Sequence, residues 1–328
     1  MPLVDPFARV PLGSTDVTVT RLGMGLAPIG GLYAAVGDVE AVTAIDEAWR
    51  QGVRLFDTAP LYGAGLSERR AGAALRGRDR GDYTLATKVG RRLVAGSHDP
   101  SGMWAEPTRT VTAWDFSAEG VRASHAESLE RLGLDRVDVL HLHDPDEHYA
   151  EVVAGALPAL AAMRREGTIG AVSAGMNQSA MLTEFARTGQ FDCFLLAGRY
   201  SLLDQSGLAD LLPECERRGI SVIVGGVYNS GVLAAPVPGA TFDYRPAPSR
   251  VLARAQAMAR ICSRHGVPLR AAALQFPLAH PAVASVLIGM RSPAEAADAA
   301  AMAAVEIPDK LWRDLVGAWL LDPEVPVP

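Results

Sequence analysis

Along the chain, short apolar or β-branched runs alternate with longer segments whose apolar residues recur every three or four positions. The short runs predict strands over Arg21–Gly25, Arg54–Asp57, Thr84–Lys88, Val137–Leu142, Ala171–Ala174, Cys193–Leu196, Ser221–Val224 and Val286–Ile288. The longer segments predict helices with their own start and stop signals. In DVEAVTAIDEAWRQG, Asp38 is a candidate N-cap, Val42, Ile45 and Trp49 share a face, and Gly52 can close the C-terminus in a left-handed conformation. Ser117 and Gly133 bracket AEGVRASHAESLERLG in the same way. Strands joined by helical crossovers pair in parallel, and eight of them fit a closed (β/α)8 barrel, the TIM-barrel form of the α/β class, better than a two-domain open sheet. No linker or composition shift divides the chain, so residues 1–328 read as a single domain. Before the first strand, RVPLGSTDVTV predicts a β-hairpin turning at Gly13–Asp16 and covering the barrel floor. Two long interruptions, Gly90–Asp115 and Gly225–Ala247, follow strand ends, where a barrel carries its substrate loops. The tail DPEVPVP reads as loose.

Composition narrows the partners. With 31 Lys and Arg against 37 Asp and Glu, the net charge of −6 and the lack of any block of basic residues argue against nucleic acid or an anionic membrane. Hydrophobic residues make up 49% of the 328, enough for a large soluble core, yet no run approaches a membrane span and MPLVDPFARV lacks the features of a secretory signal. Cys193, Cys215 and Cys262 have no CxxC spacing, which points to buried thiols rather than a disulfide framework or zinc site, and to the cytoplasm.

An open-sheet dinucleotide fold needs GxGxxG between strand and helix. The nearest stretch, Gly23-Met24-Gly25-Leu26-Ala27-Pro28, ends in proline and runs into Gly30-Gly31, so such a site is excluded. Polar residues mark the strand ends instead: Asp57 in LFDTAPLYG with Tyr62 five residues on, Lys88 closing TLATK, and His143 in VLHLHDPD. Each alone has an ordinary structural explanation, but a barrel brings successive strand ends to one mouth. Their chemistry is complementary there. An ammonium beside a phenol favours the phenolate, a carboxylate orients the ammonium, and an imidazole can hold a reacting oxygen. His141-x-His143, followed by Asp144, Asp146 and His148, also matches the metal pair of barrel hydrolases. His98, His125, His265 and His280 do not fall at predicted strand ends to complete such a shell, so no metal is expected. His141, two residues deeper than His143 on the same strand face, reads as a packed histidine.

The set Asp57, Tyr62, Lys88 and His143, in the contexts FDTAPLYG, ATK and LHLHDPD, resembles the catalytic tetrad of the aldo-keto reductase superfamily, and the likeness runs from RLGMGLAPIG to VLIGMRSPAE. Within it, GGVYNSGVL, AGRYSLLD and the LHLHDPD region are similar to the L-fucose, D-threo-aldose and pyridoxal 4-dehydrogenase type. The resemblance implies that Tyr62 is the general acid/base, that Lys88 lowers its pKa, that Asp57 pairs with Lys88, and that His143 orients the reacting oxygen. It also implies a nicotinamide dinucleotide bound without a Rossmann fold, with Asn229, Ser230 and Gly231 at its pyrophosphate and Gly289, Arg291 and Ser292 on its adenosine side. Gly175-Met176-Asn177 stands where many members have Ser-Asn, so Gly175 and Asn177 are assigned to the carboxamide. The ring-stacking tyrosine of the family falls at Gly225, so either Tyr228 or another side chain covers the ring or the stack is absent. Glu295 occupies the position of a phosphate-binding arginine, which favours NAD over NADP, with the oxidation of an aldose at C1 to a lactone as the expected reaction. Pyridoxal oxidation and NADPH-dependent reduction of aldehydes or ketones are the alternatives; a cofactor-sensing, non-catalytic subunit is the remote one. Tyr33, Trp104 and Trp114 are the candidate substrate contacts, because aromatic faces suit the apolar side of a sugar or pyridine ring.

Overall fold

The computed structural model describes residues 5–96, 102–106 and 110–328. Eight parallel strands close a barrel: β1 (Leu22–Gly25), β2 (Leu55–Asp57), β3 (Thr84–Val89), β4 (Val139–His143), β5 (Ala171–Met176), β6 (Cys193–Ala197), β7 (Ser221–Gly225) and β8 (Val283–Gly289). Each pairs with the next in the chain, and β8 pairs with β1. Helices pack outside, giving the expected (β/α)8 architecture. All eight predicted strands are present with shifted ends. β4 starts two residues later than expected because the Asp138 carboxylate takes the Leu85 amide at 2.7 Å and Arg80 at 2.6 Å, where ladder bonds would otherwise begin. It also ends later, so His143 is its last residue.

Two apolar layers hold the barrel. Inside, Leu55, Ala86, Val139, Ala171 and Ile223 pack with Leu12 and Val19 of the N-terminal hairpin, whose strands Arg9–Pro11 and Thr18–Thr20 pair antiparallel. The hairpin thus seals the floor as predicted. A larger layer joins the outer strand faces to the helices. Ser117 caps its helix by accepting the Gly120 amide, and Gly52 and Gly133 close theirs in the left-handed region. Asp38 does not cap: Gly37 takes the extended cap conformation, and Asp38 is the first helical residue, its carboxylate accepting from Arg70. The tail is not loose either, since Val325 is buried and Val327 packs on the same core.

Both long interruptions carry an antiparallel strand pair at the C-terminal face, Arg91–Ala95 with Thr110–Trp114 and Thr241–Phe242 with Arg245–Pro246. His98 lies outside the described residues. No helix among the described residues is long and apolar enough to cross a membrane.

One buried charge ties β3 to two outer helices. Glu68, in the helix Leu66–Leu75, is 0% exposed; it accepts from Thr87 of β3 at 2.8 Å and from Arg131, in the helix Ala118–Leu132, at 2.5 Å. Removing one partner of such a pair costs about 3–5 kcal/mol, because the other charge stays buried alone. Arg131→Met is therefore expected to destabilise the fold by roughly that amount in urea unfolding, and the double substitution Glu68→Gln/Arg131→Met to recover most of the loss.

Candidate active site

Side chains alternate across a strand, so one face of each barrel strand points inward. Small and aliphatic groups fill that space near the floor, and polar ones follow at the mouth. Lys88, His141 and Ser173 are direct neighbours across β3, β4 and β5, and all three are buried. Asp57, the last residue of β2, meets them from the next strand. Lys88 Nζ donates to Asp57 Oδ2 at 2.5 Å and to the Thr58 carbonyl at 2.9 Å. His141 Nε2 lies 3.2 Å from Asp57 Oδ1, and its Nδ1 lies 2.7 Å from Ser173 Oγ. A carboxylate only accepts, so this arrangement assigns the imidazole proton to Nε2 and the Ser173 hydroxyl as donor to Nδ1. Burial pushes the Asp57 carboxyl up, but Lys88 and His141 outweigh it and hold the group below its ordinary range. His141 is thus packed as expected, yet it packs onto the charged pair itself, with Nε2 in ion-pair range of Asp57 Oδ1 and Nδ1 bonded to Ser173.

Tyr62 stands above this row. Its loop crosses the segment after β1 so closely that a Cβ on Gly63 would sit 2.1 Å from the Gly30 carbonyl oxygen; Gly63 also has a φ of +61°. The Lys88 ammonium lies 4.9 Å from the centre of the Tyr62 ring, and the His143 ring meets the phenol ring edge-on at 6.0 Å. Contrary to the expected lowering, the Tyr62 pKa is raised well above 10. Burial does this first, the Asp57 and Asp144 carboxylates add to it, and Arg91 opposes it. Lys88 is already paired with Asp57. The His143 pKa falls well below 6.5 through burial and the nearby cations Arg91 and Lys88, so its imidazole is neutral. The mouth therefore offers a protonated phenol and a neutral imidazole above one paired charge.

Next to it runs a cleft of about 400 Å³, lined by Asn177, Asn229, Ser230, Gly231, Gly289, Arg291 and Glu295 among others. Gly175 and Ser292 do not line it. Gly175 sits inside β5, where its carbonyl accepts the Asp144 amide; the Ser292 hydroxyl accepts the Glu295 amide and caps the helix Pro293–Ala303. The Asn229 side chain is used internally too, accepting from Ser201 at 2.6 Å and donating to the Gly198 carbonyl at 3.2 Å. Both arginines of the cleft wall are paired, Arg291 with Glu295 at 3.2 Å and Arg270 with Asp298 at 2.6 Å.

The Aldo/keto reductase family profile matches residues 21–319. The chain belongs to the aldo/keto reductase family. Over 317 residues it is 41% identical to the D-threo-aldose 1-dehydrogenase of a Pseudomonas species, covering 94% of this chain and 96% of that one. It is 39% identical to the pyridoxal 4-dehydrogenase of Microbacterium luteolum, covering 93% and 95%. The holo form of an aldo-keto reductase from Bacillus halodurans superposes with a TM-score of 0.77 at 25% identity over 97% of each chain. The protein is accordingly an NAD(P)-dependent oxidoreductase. The cleft fits such a dinucleotide: Gly289 on its wall has no room for a side chain, since a Cβ would lie 2.9 Å from Pro28 Cγ, and Ser230 and Asn177 present polar groups.

Of the substrate candidates, Trp104 lies 5.8 Å from the Tyr62 ring, and Tyr33 lines the cleft. Trp114 packs under the Arg91 guanidinium at 4.3 Å and on Phe116. Gly225 lies buried at the end of β7, and Tyr228 lines the cleft. Sequence reasoning missed Arg91, Arg270 with Asp298, and Tyr244, which reaches the cleft from a hairpin tip with φ +62°. Only Arg91 carried a signal, since it stands three residues past Lys88, at the start of the segment that follows β3.

The depressed Asp57 pKa makes a stability statement. Its contribution is present above the ordinary carboxylate value of about 3.9 and is lost as pH falls through the folded value. His141→Leu removes one of the two groups that hold the value down, together with the Nδ1 acceptor of the Ser173 hydroxyl. The expected outcome is a loss of about 1–3 kcal/mol at pH 7 and an acid decline in Tm that begins at higher pH than in the wild type, checked by thermal melts from pH 3 to 7.

Proposed function

We propose that the enzyme oxidises the hydroxyl-bearing carbon of a cyclic hemiacetal, an aldose at C1, to a lactone, with NAD as the preferred cofactor. The observation that carries this reading is the meeting of Tyr62, His143 and the Lys88–Asp57 pair at one end of the barrel. The D-threo-aldose and pyridoxal dehydrogenase relatives support the substrate class. An aldose and pyridoxal share a feature of their chemistry, for each carries a hydroxyl that can close a ring on its own aldehyde.

Bound in the cleft, a nicotinamide dinucleotide supplies a two-electron hydride acceptor. Asn177, Ser230, Gly231 and Gly289, which line the cleft, would hold it. Tyr62, as phenolate, takes the proton of the C1 hydroxyl while that carbon gives up its hydrogen with two electrons, and the C–O bond becomes a carbonyl. His143, neutral, donates a hydrogen bond to the same oxygen without taking its proton. Lys88, fixed by Asp57, places a positive charge where the phenolate forms. The NAD preference follows from charge balance. Both cleft arginines face carboxylates, so a 2′-phosphate meets no uncompensated cation among the described residues, whereas ribose hydroxyls find acceptors.

The raised Tyr62 pKa favours the reverse direction at neutral pH, because a protonated phenol is the acid that carbonyl reduction needs. Oxidation is expected to accelerate with pH through the alkaline range as the phenol ionises, and reduction to slow over the same range. Tyr62→Phe should lower both by about 10²–10⁴-fold and abolish that limb, read from NADH absorbance between pH 6 and 11. Glu295→Gln should narrow the NAD-over-NADP ratio of kcat/KM by about threefold to tenfold, more at low salt, in steady-state assays with both cofactors.

A further inference from the structure

The residue after His143 does not behave as a turn residue. Asp144 has a φ of +44°, a conformation that costs a non-glycine residue energy and that aspartate and asparagine tolerate best after glycine. The strain is held by the bond from its amide to the Gly175 carbonyl at 2.9 Å. Its effect is to bring a carboxylate beside the reacting groups. Asp144 Oδ2 lies 3.7 Å from His143 Nε2 and 2.7 Å from a terminal nitrogen of Arg91. Arg91 is itself fixed by the Trp114 face, 4.3 Å from its guanidinium carbon. Asp144 Oδ1 accepts no hydrogen bond among the described residues.

An ion pair largely removed from water, bridged through one carboxylate oxygen, is a costly way to fill space, since desolvation offsets most of its attraction. A function for the free oxygen accounts for its retention. That oxygen is an acceptor only, so it selects donors and repels anions. The other oxygen of the same carboxylate, Oδ2, lies 3.7 Å from His143 Nε2, so the open oxygen belongs to a side chain that adjoins the imidazole assigned to the reacting oxygen. A substrate hydroxyl on the carbon next to the reacting one is the group of matching chemistry and reach.

We propose that Asp144, oriented by Arg91, is a specificity-determining residue that accepts a hydrogen bond from the hydroxyl adjacent to the reacting carbon, so that the enzyme selects α-hydroxy substrates and aldoses over their deoxy counterparts. This deepens the function proposed above and rests on it. The pair also disfavours substrates with a carboxylate or phosphate at that position, because Arg91 is already neutralised.

D-arabinose and 2-deoxy-D-ribose differ only in the oxygen at C2 and test the assignment directly. Steady-state oxidation of both with NAD is measured for the wild type, Asp144→Asn and Asp144→Ala; asparagine tolerates the left-handed backbone and keeps the size, which guards against a simple folding failure. A hydrogen bond to a charged acceptor corresponds to roughly a tenfold to hundredfold preference for D-arabinose in kcat/KM. In Asp144→Ala the preference is expected to fall to within about threefold through loss of D-arabinose turnover alone, with Asp144→Asn between. Equal turnover of the two sugars by the wild type, or an unchanged ratio in both variants, overturns the assignment. If neither sugar is oxidised, the aldose reading fails on its own. Tryptophan fluorescence titration of the NADH-bound protein with the same sugars then decides: tighter binding of D-arabinose that is lost in Asp144→Ala upholds the role of Asp144, and equal affinities overturn it.

Discussion

The Lys88–Asp57 pair is the constraint around which the mouth of this barrel is arranged. Both side chains are almost wholly buried, and an ammonium and a carboxylate in that setting are tolerable only when each is bonded on several sides. Asp57 is therefore flanked by Lys88 on one oxygen and His141 on the other, and Lys88 also reaches the Thr58 carbonyl. These bonds fix the ends of β2, β3 and β4 relative to one another. Tyr62 and His143, borne by the same segments, inherit that registration.

The pair also explains why the phenol is not acidified in the way that the bare sequence implies. A free ammonium near Tyr62 would lower its pKa, but burial pushes it up first, and the Asp57 carboxylate that shares the Lys88 charge adds to the push. Lys88 thus contributes local positive potential that matters most once the phenol proton moves, when the developing negative charge meets the ammonium below it. Neutral His143 and protonated Tyr62 are two outcomes of one environment, because burial disfavours the charged form of each.

Most of the architecture was legible because each element obeys its own local rules. Short apolar or β-branched runs marked the barrel strands, and Ser117, Gly52 and Gly133 marked helix ends by capping chemistry that needs no tertiary context. Asp38 misled because glycine next to it can adopt the cap conformation, leaving the acid to pair with Arg70 from another helix. The tail misled because Val325 and Val327 find a core surface that only the folded barrel creates. The tetrad was legible as polar residues at apolar strand ends. The partners of that tetrad were not. Whether His141 faces Asp57, or Arg91 reaches Asp144, depends on strand register and on a hairpin that folds back over the mouth, and neither leaves a mark in linear spacing.

The distribution of charge divides the mouth into regions with different preferences. Over the cleft, Arg291 and Arg270 are each matched by a carboxylate, so the wall has polar groups at little net charge and suits a ligand that brings its own hydroxyls. Beside His143, Arg91 and Asp144 repeat the pattern, with one carboxylate oxygen left open. Between them lies the apolar and aromatic surface of Trp104 and Tyr62. Pairing Arg91, Arg270 and Arg291 in this way weakens the long-range attraction that would gather anions. Under the proposed assignment, selection falls to short-range hydrogen-bond geometry, which discriminates by the presence or absence of single hydroxyl groups rather than by overall charge.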